Sequence, residues 1–494
     1  MTKGKRIFIS VIAVMLAIST VALLVGTGFL VGTLNKKEKK AMIILPGLFG
    51  SGLMNSEDGS FIWDNFEGKD DVSFDMLMNK DGLNLEGIVA LFMDEIVLEE
   101  LGKILANDGA GEPDSLLNMI AMNEDATPVH PEVVRAPWSV DNRLKYGVVN
   151  SLKEMWTSLN ARYGEEYEVQ VFNYDFRLDV RYNAEQLENY INEQEYTDVV
   201  LMGHSNGGPV ITAYLARSEA NRKKVSKFIS FNAPLFGSFS AIGILENIDD
   251  MISGIPEGIS SAFDVPTIFD KQFKSLVNMY TPYQLLPSYE MFLYEYNGET
   301  AGYYLDGERM EFETQEELWE FYCTRPWAKD SEGNLKVPMR DWLEARDCFY
   351  VTQADGSKIF ASKLVDTVYI NGTNVPGGFQ TKFVTDPETG KVTLVKQMIN
   401  TTQGDGTVVT VSAIAGDADP EDIVLFDGWD HYTILYSFDE VLKDATYELV
   451  DEMVVEKEAE ETKNSIIVTA VAVLLSVVVV STATLALSLP RRRK

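Results

Sequence analysis

The chain has 494 residues, 46% hydrophobic and 11% aromatic, enough apolar material for a sizeable core, which excludes a disordered protein. Its 42 Lys and Arg against 75 Asp and Glu give a net charge of −33, which excludes a nucleic-acid partner because phosphate contacts need clustered cations. Two cysteines and three histidines are too few for a zinc cluster or an iron–sulfur centre, so neither a metal nor another cofactor is expected.

The charge is unevenly placed. Residues 1–40 carry +6 and the last four residues +4, so residues 41–490 carry −43. The basic ends flank two apolar runs, Ile7 to Leu34 (28 uncharged residues) and Ser465 to Pro490 (26). As helices they reach about 40 Å, more than the roughly 30 Å of a bilayer core, so both ends are predicted to be transmembrane helices. Arg491, Arg492, Arg493 and Lys494 follow the second run and an acidic stretch precedes it. Cations stay on the cytoplasmic side, which predicts a cell-membrane protein with a cytoplasmic C-terminus and an extracytoplasmic body. The first run has Lys and Arg on both sides and is either a signal anchor or a signal peptide. Its length favours a retained anchor within residues 1–40. Residues 441–464 read as an acidic, solvated stalk before the 465–490 helix and the 491–494 tail.

Between them, 41–440 reads as one enzyme-sized domain without internal repeats. Met42–Leu45 is a short apolar strand ending at Pro46-Gly47, and residues 144–163 have helical periodicity. A strand at Val169–Phe172, a helix over Ala184–Gln194, a strand at Val199–Met202 and a helix over Pro209–Arg217 follow. Phe228–Phe231 is the next strand and Val368–Ile370 resumes the pattern. Alternating strands and helices predict an α/β fold: a mostly parallel sheet with helices on both faces. Two long stretches interrupt it, a lid-like insertion at 53–140 and a cap insertion at 238–362. Met251, Met279, Met291 and Phe292 in the second suit either a lipid acyl chain or an ordinary core.

The chemistry begins where the third strand runs into Gly203-His204-Ser205-Asn206-Gly207. This is G-x-S-x-G between an apolar strand and an amphipathic helix, the context in which a sharp turn lifts a serine hydroxyl out of a sheet. Such a serine needs a base, normally histidine, oriented by a carboxylate. Of the three histidines, His204 sits in the turn with its side chain directed away from Ser205, and His130 precedes the nucleophile. His431, which follows the last strand, has the right chain order. Asp405, between glycines in Gly404-Asp405-Gly406-Thr407-Val408, is the favoured acid, with Asp417, Asp419 and Asp422 as competitors. The oxyanion is assigned to the backbone N–H of Asn206 and to that of Leu48 in the loop after the first strand.

Five motifs in one order resemble the lecithin:cholesterol acyltransferase family, which includes lysosomal phospholipase A2 and phospholipid:diacylglycerol acyltransferases. They are Leu45-Pro46-Gly47-Leu48-Phe49-Gly50-Ser51, Tyr174-Asp175-Phe176-Arg177-Leu178, Asn232-Ala233-Pro234-Leu235-Phe236-Gly237-Ser238, Val368 to Pro376, and Gly404 to Val408. The resemblance implies an α/β-hydrolase fold with a Ser205–Asp405–His431 triad and oxyanion amides from Leu48 and Asn206. It also implies an O-acyltransferase or carboxylic ester hydrolase acting on lipid, in lipid metabolism. The alternative is a surface esterase or another serine hydrolase on soluble substrates. The disulfide-closed lid of the family's animal members has no counterpart, since no cysteine lies between 53 and 140. Trp63 falls where the family often has tryptophan and reads first as lid packing. Cys323 and Cys348 are either a disulfide or two free thiols.

Overall fold

The computed structural model describes residues 39–63 (except 49), 78–79, 82–83, 119–137, 150–246, 277–431 (except 297), 438, 441–457, 459 and 462–463. The apolar runs at 7–34 and 465–490, Met251, and the start of the 144–163 helix lie outside the described residues. Among the described residues, no helix is long and apolar enough to cross a membrane.

The centre is a six-stranded, wholly parallel sheet. Its strands are β1 (Lys40–Leu45), β2 (Glu168–Val171), β3 (Asp198–His204), β4 (Val225–Phe231), β5 (Thr367–Thr373) and β6 (Ile423–Asp427), in the spatial order β6-β5-β4-β3-β1-β2. Every residue of β3 is buried, the reason it reads as a continuous apolar run rather than an alternation. The α/β class expected from the alternating pattern is what the chain adopts.

Helix α1 (Asn150–Tyr163) buries Leu152, Met155 and Leu159 at i, i+3 and i+7, and its Trp156 Nε1 donates to Val169 O of β2 at 2.8 Å. Helix α2 (Val180–Glu193) starts four residues earlier than the apolar spacing predicts. Asp179 caps it by accepting from Arg181 N at 2.7 Å, which satisfies one of the orphan amides of its first turn. Helix α3 (Gly207–Arg217) is buried on every face from Gly207 through Leu215, so it is not the amphipathic helix expected from the sequence but an enclosed one.

Strand order positions the site. From β1 the chain steps outward to β2, then crosses back over β1 to β3. Right-handed crossovers therefore put the two connecting helices on opposite faces. The order reverses between β1 and β3, and at such a switch point the loops beyond the carboxyl ends splay apart and leave a crevice. The two loops at that crevice are Pro46–Leu48 and the turn at Ser205.

The insertions make their own small sheets. Leu53–Asn55 pairs with Phe61–Trp63 and with Val133–Arg135, so Trp63 lies in a strand opposite Leu53. A four-stranded sheet takes Gly302–Leu305 and Glu308–Arg309 from within 238–362, but its longest strands, Gly377–Thr385 and Val392–Thr401, lie past that boundary. Tyr303 is at the middle of an aromatic cluster with Phe239, Phe292, Phe321, Tyr322 and Phe383. Met279, Met291 and Phe292 are fully buried, so these three are core. Cys323 and Cys348 are free thiols, and burial pushes them up to about 11 and about 12.

The stretch expected as a stalk is helical over 441–457 and buries Leu442, Thr446, Val450 and Met453 along one stripe.

Candidate active site

Ser205 sits in the turn from β3 into α3 at φ +48°, a left-handed conformation that a side chain bears only when its surroundings enforce it. Ser205 N donates to Phe231 O at 3.0 Å and Gly208 N donates to Ser205 O at 3.0 Å, which fixes the turn from both sides. The glycine two residues on has a steric reason: a Cβ on Gly207 falls 2.6 Å from Leu45 O and 2.8 Å from Pro46 O. Only a bare backbone lets α3 begin against the end of β1.

The structure brings Ser205, His431 and Asp405 into one hydrogen-bonded line. His431 Nδ1 lies 2.6 Å from Asp405 Oδ2, and His431 Nε2 lies 2.9 Å from Ser205 Oγ. A carboxylate only accepts, so Nδ1 carries the proton and Nε2 is left to accept from the serine hydroxyl. Asp405 Oδ1 accepts from Thr407 N at 2.8 Å and Val408 N at 2.6 Å, which holds the carboxylate in place. Asp405 is 2% exposed, His431 3% and Ser205 8%. The competing Asp417 pairs with Lys363, far in chemistry from the histidine, and His130 faces Glu132 at 2.9 Å.

His431 reaches this position because its loop is tied down by backbone contacts. His431 N donates to Asp405 O at 2.9 Å. Gly372 in β5 lets the loop pass: a Cβ there falls 1.9 Å from Trp429 O. Buried Asn232, itself at φ +48°, accepts from Gly372 N at 2.8 Å through Oδ1 and reaches His431 O at 3.5 Å with Nδ2.

His204 supplies a further tie that sequence reasoning missed. Its ring meets His431 O with Nε2 at 3.0 Å. A carbonyl only accepts, so His204 is the neutral Nε2–H tautomer. Burial holds it down at about 3, with the neighbouring His431 pushing the same way. In the unfolded chain this histidine protonates near 6.5, so as pH falls from 6.5 toward 3 the unfolded state takes up a proton that the folded state refuses. His204→Gln, which keeps a donor, removes that term. Below pH 6.5 wild type should therefore lose about 1.4 kcal/mol per pH unit relative to the variant. Denaturant titrations of both proteins between pH 7 and 4 check this, and parallel curves contradict it.

Leu48 and Asn206 flank the switch-point crevice. Among the described residues their amides take no intramolecular acceptor. The Asn206 side chain donates to Tyr174 Oη at 3.2 Å, and Tyr174 Oη donates to Pro46 O at 2.9 Å. Burial raises the Tyr174 phenol well above its ordinary value, so it stays protonated. Next to it, Asp175 and Arg177 form a buried bidentate pair, with Nε to Oδ1 at 2.9 Å and Nη2 to Oδ2 at 2.7 Å. Among the described residues no group of three or more acidic, Cys or His side chains is arranged to hold a metal.

The family model for lecithin:cholesterol acyltransferase matches residues 131–295, a segment that contains Tyr174–Leu178, Ser205, Asn206 and Asn232–Ser238 and ends before Asp405 and His431. No curated protein matches the chain. Solved structures similar to it include the crystal structure of the Tle4-Tli4 complex, 14% identical over 84% of this chain and 99% of that chain, with a TM-score of 0.44. Another is an esterase, EaEST, from Exiguobacterium antarcticum, 19% identical over 26% of this chain and 60% of that one, with a TM-score of 0.17. Of the five motifs that carry the resemblance, Tyr174–Leu178 and Asn232–Ser238 fall within the segment that the lecithin:cholesterol acyltransferase family model matches.

Proposed function

We propose that the chain is a membrane-anchored serine O-acyltransferase and acylhydrolase of lipid, built on an α/β-hydrolase fold with lid and cap insertions. The observation that carries this reading is the line Ser205 Oγ–His431 Nε2–Asp405 Oδ2, standing at the turn that a lipid acyltransferase family model covers. Ser205, His431 and Asp405 act as nucleophile, base and orienting acid. The serine oxygen attacks the acyl carbonyl while His431 Nε2 takes its proton, and the amides of Leu48 and Asn206 receive the oxyanion. Collapse breaks the bond to the leaving alcohol, which takes the proton from His431 and departs, leaving an ester on Ser205. Water or a second alcohol then gives a proton to His431 as its oxygen attacks that ester, and the proton returns to Ser205 on release. Water makes the enzyme a hydrolase, an alcohol a transferase.

The apolar runs at 7–34 and 465–490 support anchoring, and the tail of Arg491 to Lys494 supports a cytoplasmic C-terminus with the acidic body outside. Anchoring keeps the site close to lipid, while a body at −43 resists lying flat on an anionic bilayer.

The full chain, purified in detergent, is given phospholipid and short-chain p-nitrophenyl esters with and without a fatty alcohol, and the products are resolved by mass. Fatty acid released from phospholipid by wild type and not by Ser205→Ala, with alkyl ester replacing it when alcohol is present, is the expected result. Turnover of short esters alone moves the assignment to an esterase of soluble substrates. Equal products from wild type and Ser205→Ala overturn it.

A further inference from the structure

We infer that Tyr174 is a positioning residue that sets the spacing of the two oxyanion amides, an inference that rests on the acyl-transfer reading above. The phenol is fully buried and makes two directed bonds. It donates to Pro46 O at 2.9 Å and accepts from Asn206 Nδ2 at 3.2 Å. Pro46 lies two residues before Leu48 in the loop at the end of β1, and Asn206 follows the nucleophile at the end of β3. One hydroxyl therefore bridges the two loops whose backbone N–H groups must converge on the same oxygen.

Gly207 packs against Leu45 O and Pro46 O, but among the described residues no other hydrogen bond joins the two loops beyond the strand pairing. Hydrogen bonds join β1 and β3 only up to the pair Leu45 and Gly203, and beyond it the strands diverge at the switch point. Tyr174 is itself held in place: its own N–H donates to Ser51 Oγ, five residues beyond Pro46, at 3.1 Å, and the next residues are locked by the Asp175–Arg177 pair. The tyrosine is thus a fixed post against which the two loops are gauged. The amide side chain at 206 is what makes the bridge two-sided, because an apolar residue there leaves only the Pro46 half. An oxyanion hole works when its donors sit about 3 Å from where the oxygen will be, so a loop free to drift costs transition-state binding without costing substrate binding.

The test uses Tyr174→Phe, Asn206→Ala (which keeps the backbone donor) and the double variant, each in the full chain beside wild type and Ser205→Ala. For Tyr174→Phe we expect kcat to fall about tenfold with KM changed less than about twofold, the signature of an interaction made only in the transition state. A boronic acid that mimics the tetrahedral intermediate should lose affinity by the same factor. The double variant should be no slower than Tyr174→Phe, since both remove one bridge. Hydrogen exchange of the segment 45–50 should quicken in Tyr174→Phe while that of β4 does not, and this reads the bridge without turnover. Unchanged kcat and boronate affinity beside an active wild type overturn the inference, as does an additive double variant or unchanged exchange. Absence of Ser205-dependent turnover in wild type fails the acyl-transfer reading instead, and the exchange measurement still decides whether the phenol ties the loops.

Discussion

Asp405→Asn should lower kcat by about 10⁴-fold, and Ser205→Ala at least as far, with the double variant no slower than the slower single. The size of the first effect follows from hydrogen-bond direction. Oδ1 of residue 405 accepts from two backbone amides, Thr407 N and Val408 N, so in the variant the amide oxygen must occupy that position. Its NH2 group then faces His431 Nδ1, 2.6 Å away in wild type. A donor there forces Nδ1 to accept, the ring proton moves to Nε2, and Nε2 can no longer take the proton of Ser205. Steady-state kinetics on a p-nitrophenyl ester measures all three variants, with melting temperatures to show that each is folded. A loss of less than tenfold in Asp405→Asn excludes Asp405 as the orienting acid.

The largest expected loss of stability is at Asp175. Arg177 is 0% exposed and spends Nε and Nη2 on the Asp175 carboxylate. The same Nη2 donates to Val133 O at 2.7 Å in the lid-side strand, and Arg177 O accepts from Tyr280 N at 3.0 Å. Three segments distant in sequence meet at Arg177, two at its guanidinium and one at its backbone carbonyl. Asp175→Ala leaves its charge buried without a counterion, a situation that costs about 3–5 kcal/mol. Replacing both residues, Asp175→Leu with Arg177→Met, removes the charge with its partner and should restore much of that loss. Urea denaturation followed by tryptophan fluorescence gives both values. Should Asp175→Ala lose less than about 1 kcal/mol, the pair is not the joint described here.

Much of the site is legible in the sequence because its parts are local. A strand, a G-x-S-x-G turn and a helix are contiguous, and steric need at a single turn dictates Gly203 and Gly207 on either side of Ser205. Burial on both faces writes Ala41–Leu45 of β1 and Val199–Met202 of β3 as unbroken apolar runs. The start of α2 was misplaced because its first turn is fixed by the Asp179 cap rather than by the apolar stripe that marks its middle. The hairpin of Gly377–Thr385 and Val392–Thr401 was not foreseen, although Pro387-Glu388-Thr389-Gly390 between two β-branched and aromatic runs is a turn signal that could have found it.

By itself the sequence determined the class of the sheet and the strand–turn–helix at Ser205, since each depends on neighbours within about a dozen positions. The sequence favoured Asp405 over Asp417, Asp419 and Asp422 from its glycine turn, and only the tertiary structure showed its 2.6 Å approach to the ring of His431, 26 residues away. It alone revealed that His204 holds the backbone of His431, 227 residues on, and that Tyr174 joins Pro46 to Asn206. A hydrogen bond depends on direction at a distance under about 3.2 Å, and chain spacing carries no such direction once the polypeptide has turned back on itself.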